Sequence, residues 1–347
     1  MRIQTTALAL LIICGTAASL PAADIARVRG GTSAINGELT EMSPTEIVIK
    51  GRNDKEEKIA VNELESLKFD GEPSQLNGVR TALNTGRNDD AVKALDRIDA
   101  KSVERDEIKA EIEYYRALAT ARLALAGTGS VTDAGKLMLA FIKDHAKSFH
   151  YFEANETIGD LLVASGKYSD AEKYYDTVEQ NAPWPDYKIR AGVAKGRTLL
   201  KQAKGDEAMA VFAGLQKQAD GQTGDLVARQ KLMASEGLAE AQILSGKTEE
   251  GIKLLDSLIA EADPEHAEVH ALAYNALGNA HRKAGRKKEA RMAFLHTHLL
   301  YSNFSDLHAE SLANLAELFK ELGDAERSGD MQDTLTQRYG NSKWAKK

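Results

Sequence analysis

The sequence predicts a mainly α protein: a solenoid of about seven stacked helix pairs, preceded by a small all-β, barrel-like domain. Three observations carry this. Glycines recur at 86, 129, 166, 205, 246, 285 and 323, with small and large apolar residues at fixed offsets around them. Only six prolines occur in 347 residues, and the stretch after Pro73 is rich in Ala, Leu, Lys and Glu, all good helix formers. Between Asp24 and Asp70, by contrast, short apolar segments alternate with turn residues.

The first segment, residues 1–23, reads as a secretory signal peptide. Arg2 supplies a positive start, Ala7 to Cys14 is an unbroken apolar run, and Gly15 to Ala23 is mostly small, with Pro21 as a breaker. The run is too short for a membrane-spanning helix. The expected destination is the periplasm or cell envelope. Cys14 is the only cysteine. Lost with the leader, it leaves a thiol-free chain with no disulfide and no thiolate site. A second reading keeps it, as a lipidated anchor for a structural or assembly component of an envelope complex. Ile13, bulky where lipoprotein cleavage favours a small residue, departs from that pattern.

Residues 24–70 contain about five strand-like segments. Ile25 to Arg29 alternates and ends at Gly30-Gly31. Ile35 and Leu39 flank Gly37. Ile47, Val48 and Ile49 form an apolar strand, Asn53-Asp54 a turn, and Lys58 to Val61 and Leu64 to Phe69 complete the set. The spacing resembles SH3-like or Sm-like barrels. Gly71-Glu72-Pro73 then breaks the pattern, and residues 71–347 form the helical domain. A solenoid's contacts run between neighbouring repeats, so this part is expected to fold without the β domain.

Within the helical domain, five residues after most of the recurring glycines stands a small residue: Ala91, Ala134, Ala171, Gly251, Ala290 or Ser328. Four further on is a large apolar one: Leu95, Met138, Tyr175, Leu255 or Phe294. Seven before the glycine is often another small residue: Gly159, Ala239, Gly278 or Ala316. Each has a physical task. Glycine takes positive φ where the first helix of a pair ends. Small residues let two helix axes approach, and the large residue one turn on fills the space beside the crossing.

These residues resemble the tetratricopeptide repeat family. The fullest matches are Tyr274, Leu277, Gly278, Gly285, Ala290 and Phe294, and Ile158, Gly159, Leu162, Gly166, Ala171 and Tyr175 with Pro183 closing that repeat. The tail from Arg338 to Ala345 is similar to that of many envelope proteins of this type. The resemblance implies a right-handed superhelix whose first helices line a concave groove. One unit is out of register: Gly196, Ala208 and Phe212 keep the spacing while Gly205 comes two residues late. Gln332 stands where a large apolar residue belongs, as in a polar terminal cap.

The net charge of -7 speaks against a nucleic-acid footprint, which needs a concentrated basic face. No nucleophile elbow, phosphate loop or dinucleotide fingerprint is present, so the chain is expected to be no enzyme and to need no cofactor. His266 and His270 share a helix face, but Ala267 stands where the metalloprotease motif needs glutamate, and they read as solvated. His281 reads as packed. Carboxylate pairs such as Glu111 with Glu113 and Glu249 with Glu250 read as wet helix faces, and Tyr114, Tyr115, Tyr174 and Tyr175 as core. Trp184, between Pro183 and Pro185, reads as a wedge between repeats.

What remains is the concave wall. The family's groove positions fall on Leu272, Asn275, Asn279 and Arg282 in one repeat and on Arg190, Val193, Arg197 and Leu200 in another. Arg190, Arg197, Asn275, Asn279 and Arg282 are therefore the expected partner-binding residues. Glu153, Glu156 and Asp160 make another stretch of the same wall acidic. Such a groove suits a protein or peptide partner read by charge as well as shape, and the chain reads as a non-enzymatic binding module or scaffold.

Overall fold

The computed structural model describes residues 23–51 and 53–346. The signal segment's first 22 residues, Cys14 among them, lie outside that range.

Five antiparallel strands open the described chain: β1 (Asp24–Val28), β2 (Ile35–Met42), β3 (Glu46–Lys50), β4 (Glu56–Ala60) and β5 (Leu64–Lys68), with a 3-10 turn at Val61–Glu63. The order β4-β3-β2-β1-β5 leaves β4 and β5 as edges, so among the described residues this is an open five-stranded sheet. β2 is shared: its first residues pair with β1 and its later ones with β3, with a register shift between Leu39 and Glu41. Gly37 sits at this crowded bend, where any Cβ would collide with the Lys50 carbonyl.

Fourteen α-helices follow, in seven pairs: α1 (Gln75–Asn84), α2 (Asn88–Leu95), α3 (Asp106–Leu125), α4 (Val131–Asp144), α5 (Tyr151–Ala164), α6 (Tyr168–Asn181), α7 (Pro185–Lys201), α8 (Gly205–Ala219), α9 (Asp225–Leu244), α10 (Thr248–Glu261), α11 (Ala267–Lys283), α12 (Lys287–Leu300), α13 (Ser305–Glu321) and α14 (Ala325–Tyr339). First helices pack on first helices from α1 through α13, which makes them a continuous inner wall. The expected crossings are present. A Cβ on Gly278 would lie 2.7 Å from the Phe294 ring, and one on Gly196 2.6 Å from Phe212. Tyr175 fills the same place against Gly159. Trp184 does wedge between repeats, meeting Phe152 edge-on at 6.4 Å and Tyr187 at 5.0 Å.

Two turn assignments need correction. The positive-φ residue between α3 and α4 is Gly127, not Gly129. Between α7 and α8 it is Ala203, with φ 59, whereas Gly205 is the first residue of α8. Gly205 is there because Ala241 of α9 and Ser245 just after it approach too closely for a side chain. The apparent register slip is thus an alanine in the glycine's place.

Two features lie beyond the repeat pattern. One hydrophobic cluster runs from the sheet (Ala26, Ile47, Ile49, Leu67, Phe69) through α1 and α3 to Ile158 of α5. Asp24 of β1, 2% exposed, is bound in it by Arg105 at 2.6 and 2.9 Å and by the N–H groups of Leu39 and Asp70. The sheet therefore packs on the first repeats as part of their core. Moreover, the superhelix comes back on itself. The backbone of Asn341–Lys343 lies against Gly127, whose carbonyl accepts from Lys346 Nζ at 3.3 Å, and Ser305 lies near Gly86. Lys343 and the Trp344 indole N–H hold the tail on Asp306, each at 2.9 Å.

Candidate functional site

The inner wall is a ladder of polar bonds between successive first helices. Arg190 of α7 donates to Glu156 of α5 at 2.7 Å and lies over the Tyr187 ring at 4.1 Å. Arg197, two turns on, donates to Glu236 of α9 at 3.0 Å. Arg229 of α9 pairs with Glu268 of α11. Asn275 of α11 donates to the Leu307 carbonyl at 2.9 Å and to Glu310 of α13 at 3.1 Å, and Asn279 donates to the same carboxylate at 3.0 Å. Arg282 reaches Asn314 at 2.6 Å and Glu317 at 2.8 Å. The five residues expected at the groove thus all stand on its wall, and each bridges to the neighbouring helix. Asn275, only 2% exposed, is part of the repeat interface.

Along the groove positions the wall alternates in sign, with Glu156 on α5, Arg190 and Arg197 on α7, Glu236 and Glu240 on α9, Asn275, Asn279 and Arg282 on α11 and Glu310 and Glu317 on α13, while the Arg229–Glu268 pair runs the other way. This follows from the repeat geometry, since equivalent positions on adjacent first helices face each other. Neutralisation is incomplete. No hydrogen bond or ion pair reaches Glu240, one turn beyond Glu236, among the described residues. Enclosure by the concave walls, and then the adjacent Glu236 charge, push its carboxyl up to about 8. Glu236 is raised by burial and further by Glu310, against the pull of Arg197. Enclosure pushes Glu156 up to about 7, with Arg190 opposing. Asp160 is open at the groove surface yet walled in by protein, and that surround raises it although the Tyr175 hydroxyl donates to it at 2.7 Å. These carboxylates sit together where ordinary solvation would keep carboxylates charged and apart.

At the joint with the sheet the same wall is more closed. Arg80 of α1 makes a fork with Glu72 at 2.6 and 2.7 Å and lies 3.5 Å from Glu111 of α3. Glu111, read from sequence as part of a wet face, is buried at 2% exposure. Its other oxygen is 2.8 Å from His150, whose ring stacks on Tyr114 at 3.7 Å. Burial acts to deprotonate His150, but Glu111 and then Glu153 outweigh it and raise it. In turn His150, with help from Tyr114 and Arg190, draws Glu153 down to about 2 against its burial. Arg80, Tyr114, His150 and Glu153 line a cavity of about 210 Å³ between β5 and the first helices.

The remaining candidates are accounted for by packing. His270 stacks on Tyr301 at 6.0 Å with Nε2 3.2 Å from the Asp263 carbonyl, while His266 lies 3.4 Å from Asp225. The two rings therefore engage different partners. Among the described residues no group of three or more His, Cys, Asp or Glu is placed to hold a metal ion. Glu113 and Glu249 are exposed and paired with His145 and Arg286. His281 is half-buried, its Nδ1 without a partner. Sequence reasoning missed Glu236, Glu240, Glu310 and Glu317. The signal was present, since these occupy on α9 and α13 the groove positions quoted above for α7 and α11.

No protein-family model and no curated protein matches the sequence. Solved structures do match in fold. A Rap protein complexed with competence and sporulation factor superposes with a TM-score of 0.54 at 15% identity, over 77% of this chain and 74% of that one. A tetratricopeptide repeat protein from Parabacteroides merdae gives 0.49 at 13% identity, over 78% and 96%. PilW, a widely conserved type IV pilus biogenesis factor, gives 0.43 at 15%, over 69% and 97%. At such identities the likeness is one of fold, and the helical part has the tetratricopeptide-type solenoid architecture.

Proposed function

We propose that this chain is a non-enzymatic scaffold that holds a protein or peptide partner in its concave groove, and that it works in the periplasm or cell envelope. The observation that carries the reading is the inner wall. Seven first helices present one continuous concavity whose polar side chains are fixed by bonds between repeats. Such fixed groups bind with little ordering cost, and repeat architectures offer long surfaces of this kind. The Rap structure, with its factor bound, lends support as a case of this fold in a complex. The envelope destination rests on the leader-like residues 1–23, with Cys14 lipidation as the anchored alternative.

The test is in vivo cross-linking from a photoreactive residue placed at Asn279, exposed on the inner wall of α11, compared with one at Lys173, exposed on α6. A partner trapped from Asn279 and not from Lys173 supports the groove. Equal trapping, or none from Asn279, speaks against it. The mass of the mature N-terminus reports the destination: a chain starting between Leu20 and Asp24 fits a soluble exported form, an acylated Cys14 an anchored one.

A further inference from the structure

The last repeat contains a row of titratable groups that the groove does not use. His308 of α13 is 0% exposed, and both of its ring nitrogens are engaged. Nε2 lies 2.8 Å from Nδ1 of His298 on α12, and Nδ1 lies 2.8 Å from the hydroxyl of Tyr339, the last residue of α14. The two imidazole planes are 17° apart, so the rings meet nearly edge to edge in one plane. Such a contact holds one proton: one nitrogen donates it and the other accepts. The charged group of α14 that acts on both rings is Arg338, a cation. The carboxylates two residues before and after His308 are already engaged. Asp306 accepts from Lys343 and Trp344 of the tail, and Glu310 from Asn275 and Asn279 of α11. The same place carries the joint that closes the superhelix. Tyr339, Trp344 and Ala345 pack on Ala309, Leu312 and Leu335, and from there the backbone of Asn341–Lys343 reaches Gly127 between α3 and α4.

We propose that the His298–His308 pair is a pH-sensitive clasp: when acid adds a proton to each ring, α14 and the tail come away from α13 and the tail is unlatched from Gly127. One added proton leaves the bonds intact, since a charged His308 can donate to both His298 and Tyr339. It does bury a charge that no carboxylate balances. A second proton turns the facing nitrogens into two charged donors beside Arg338, and the bond becomes a repulsion. The element free to yield is α14, the last helix, whose main packing partner is α13. The direction of the titration agrees. Burial, then His298 and Arg338, push His308 down to about 4, and burial, then Arg338, lowers His298. Groups lowered in this sense stabilise the fold fully above their ordinary 6.5, and the contribution is lost as pH falls from there toward the folded value. The clasp does not depend on what the groove holds.

Hydrogen exchange of the full chain, compared at about pH 7.5 and about pH 5 after correction for the intrinsic rate, reads the clasp. Protection of α14 and of residues 341–346 should fall about tenfold or more at the lower pH, while that of α9 and α10 holds. His308→Gln keeps a donor and an acceptor at the buried position but cannot titrate, so its α14 should stay protected at both pH values. His298→Gln, at a half-buried position, guards against misfolding of the first variant. It leaves one ring to protonate and removes the facing charge, so its loss at the lower pH should be smaller than the parent's. Unchanged protection of α14 in the parent, a loss spread evenly from α9 to α14, or the same loss in the parent and in whichever variant folds would overturn the proposal.

Discussion

Asp24 and Phe294 are both buried, yet they are held in opposite ways. Phe294 sits on Gly278 of the preceding helix and in a cluster with Leu315, Leu318 and Phe319 of the next first helix. Its surroundings are local, as in any repeat. Asp24 is bound by Arg105, 81 residues away, and the sheet it belongs to reaches Asp186 of α7 through Asn62, 124 residues away. The C-terminal repeats are stabilised by nearest neighbours. The N-terminal ones share a core with a sheet that is not a repeat. A one-dimensional account of stability therefore holds for α7 to α12, and fails for the front of the molecule and for the C-terminal end that packs back on it at Gly86 and Gly127.

The largest expected effect breaks this comparison directly. The repeat pattern leads one to expect residues 71–347 to fold alone, whereas the shared core says that removing the sheet exposes the faces of α1 and α3. Deleting residues 23–70 should strip amide protection from α1 through α4 while leaving α9 through α14 protected, as read by hydrogen exchange. A truncated chain with undiminished protection throughout would show that the two parts are separable after all.

A point change sharpens it. Asp24→Asn removes the charge that Arg105 and two backbone N–H groups meet, while Arg105, part-exposed, keeps Glu107 at 3.1 Å, so the loss should be about 1.5–3 kcal/mol, that of a charge-assisted bond. The pH dependence follows. Burial tends to raise Asp24, but Arg105 and two backbone N–H groups overcome it and hold the carboxyl below its ordinary 3.8. A depressed carboxylate contributes fully above its unfolded value, and the contribution disappears as pH falls through the lower folded value. Urea midpoints should thus separate parent from Asp24→Asn at pH 7 and converge as the pH falls well below the ordinary carboxylate range. A gap that persists undiminished into strong acid would mean that the charge of Asp24 is not what matters.

How much of this was legible in the sequence depends on how far apart the partners lie. Gly278 with Phe294, Gly159 with Tyr175 and Gly196 with Phe212 could be paired on paper, because both members belong to one helix pair of fixed geometry. Arg197 and Asn279 could be placed on the inner wall for the same reason. Glu236 and Glu310 hold equivalent positions on α9 and α13 and were placeable in the same way; that they meet Arg197 and Asn279 was not, because which side chains meet depends on the rotation between repeats. Asp24 looked like the first residue after a leader. Nothing local distinguishes it from any exposed aspartate; only the folded sheet brings Arg105 and the N–H groups of Leu39 and Asp70 to it.

For the local half of the comparison the sharp test is the crossing itself. Gly278→Leu must push the Phe294 ring aside in a filled core, which costs roughly 1–3 kcal/mol or more. Lys287→Ala removes only a surface pair with Glu321 at 3.0 Å, worth about 0–1 kcal/mol. Thermal melts of the two should differ clearly. Matching melting temperatures would place the crossing elsewhere.

The smallest expected effect concerns the one turn where the repeat lacks its glycine. Ala203 has φ 59 and Gly285 has φ +74. Their backbone bonds are the same: Ala203 N–H to Leu200 O and Lys204 N–H to Leu199 O match Gly285 N–H to Arg282 O and Arg286 N–H to His281 O. Both residues are exposed, and no atom lies within 4 Å of the Cβ position at Gly285. The difference between them is therefore backbone conformation alone. An L-residue in the left-handed region is strained by about 1–2 kcal/mol. Glycine relieves this but loses more freedom on folding, about 0.5–1 kcal/mol. The balance favours glycine, so Ala203→Gly should stabilise the chain by about 0.5–1 kcal/mol and Gly285→Ala should destabilise it by a similar amount. Because α7 and α8 belong to the nearest-neighbour half, the gain should appear as slower exchange in those helices and in α9, and not at the Asp24 joint. A loss of stability in Ala203→Gly would mean that the alanine methyl makes a contact outweighing its strain.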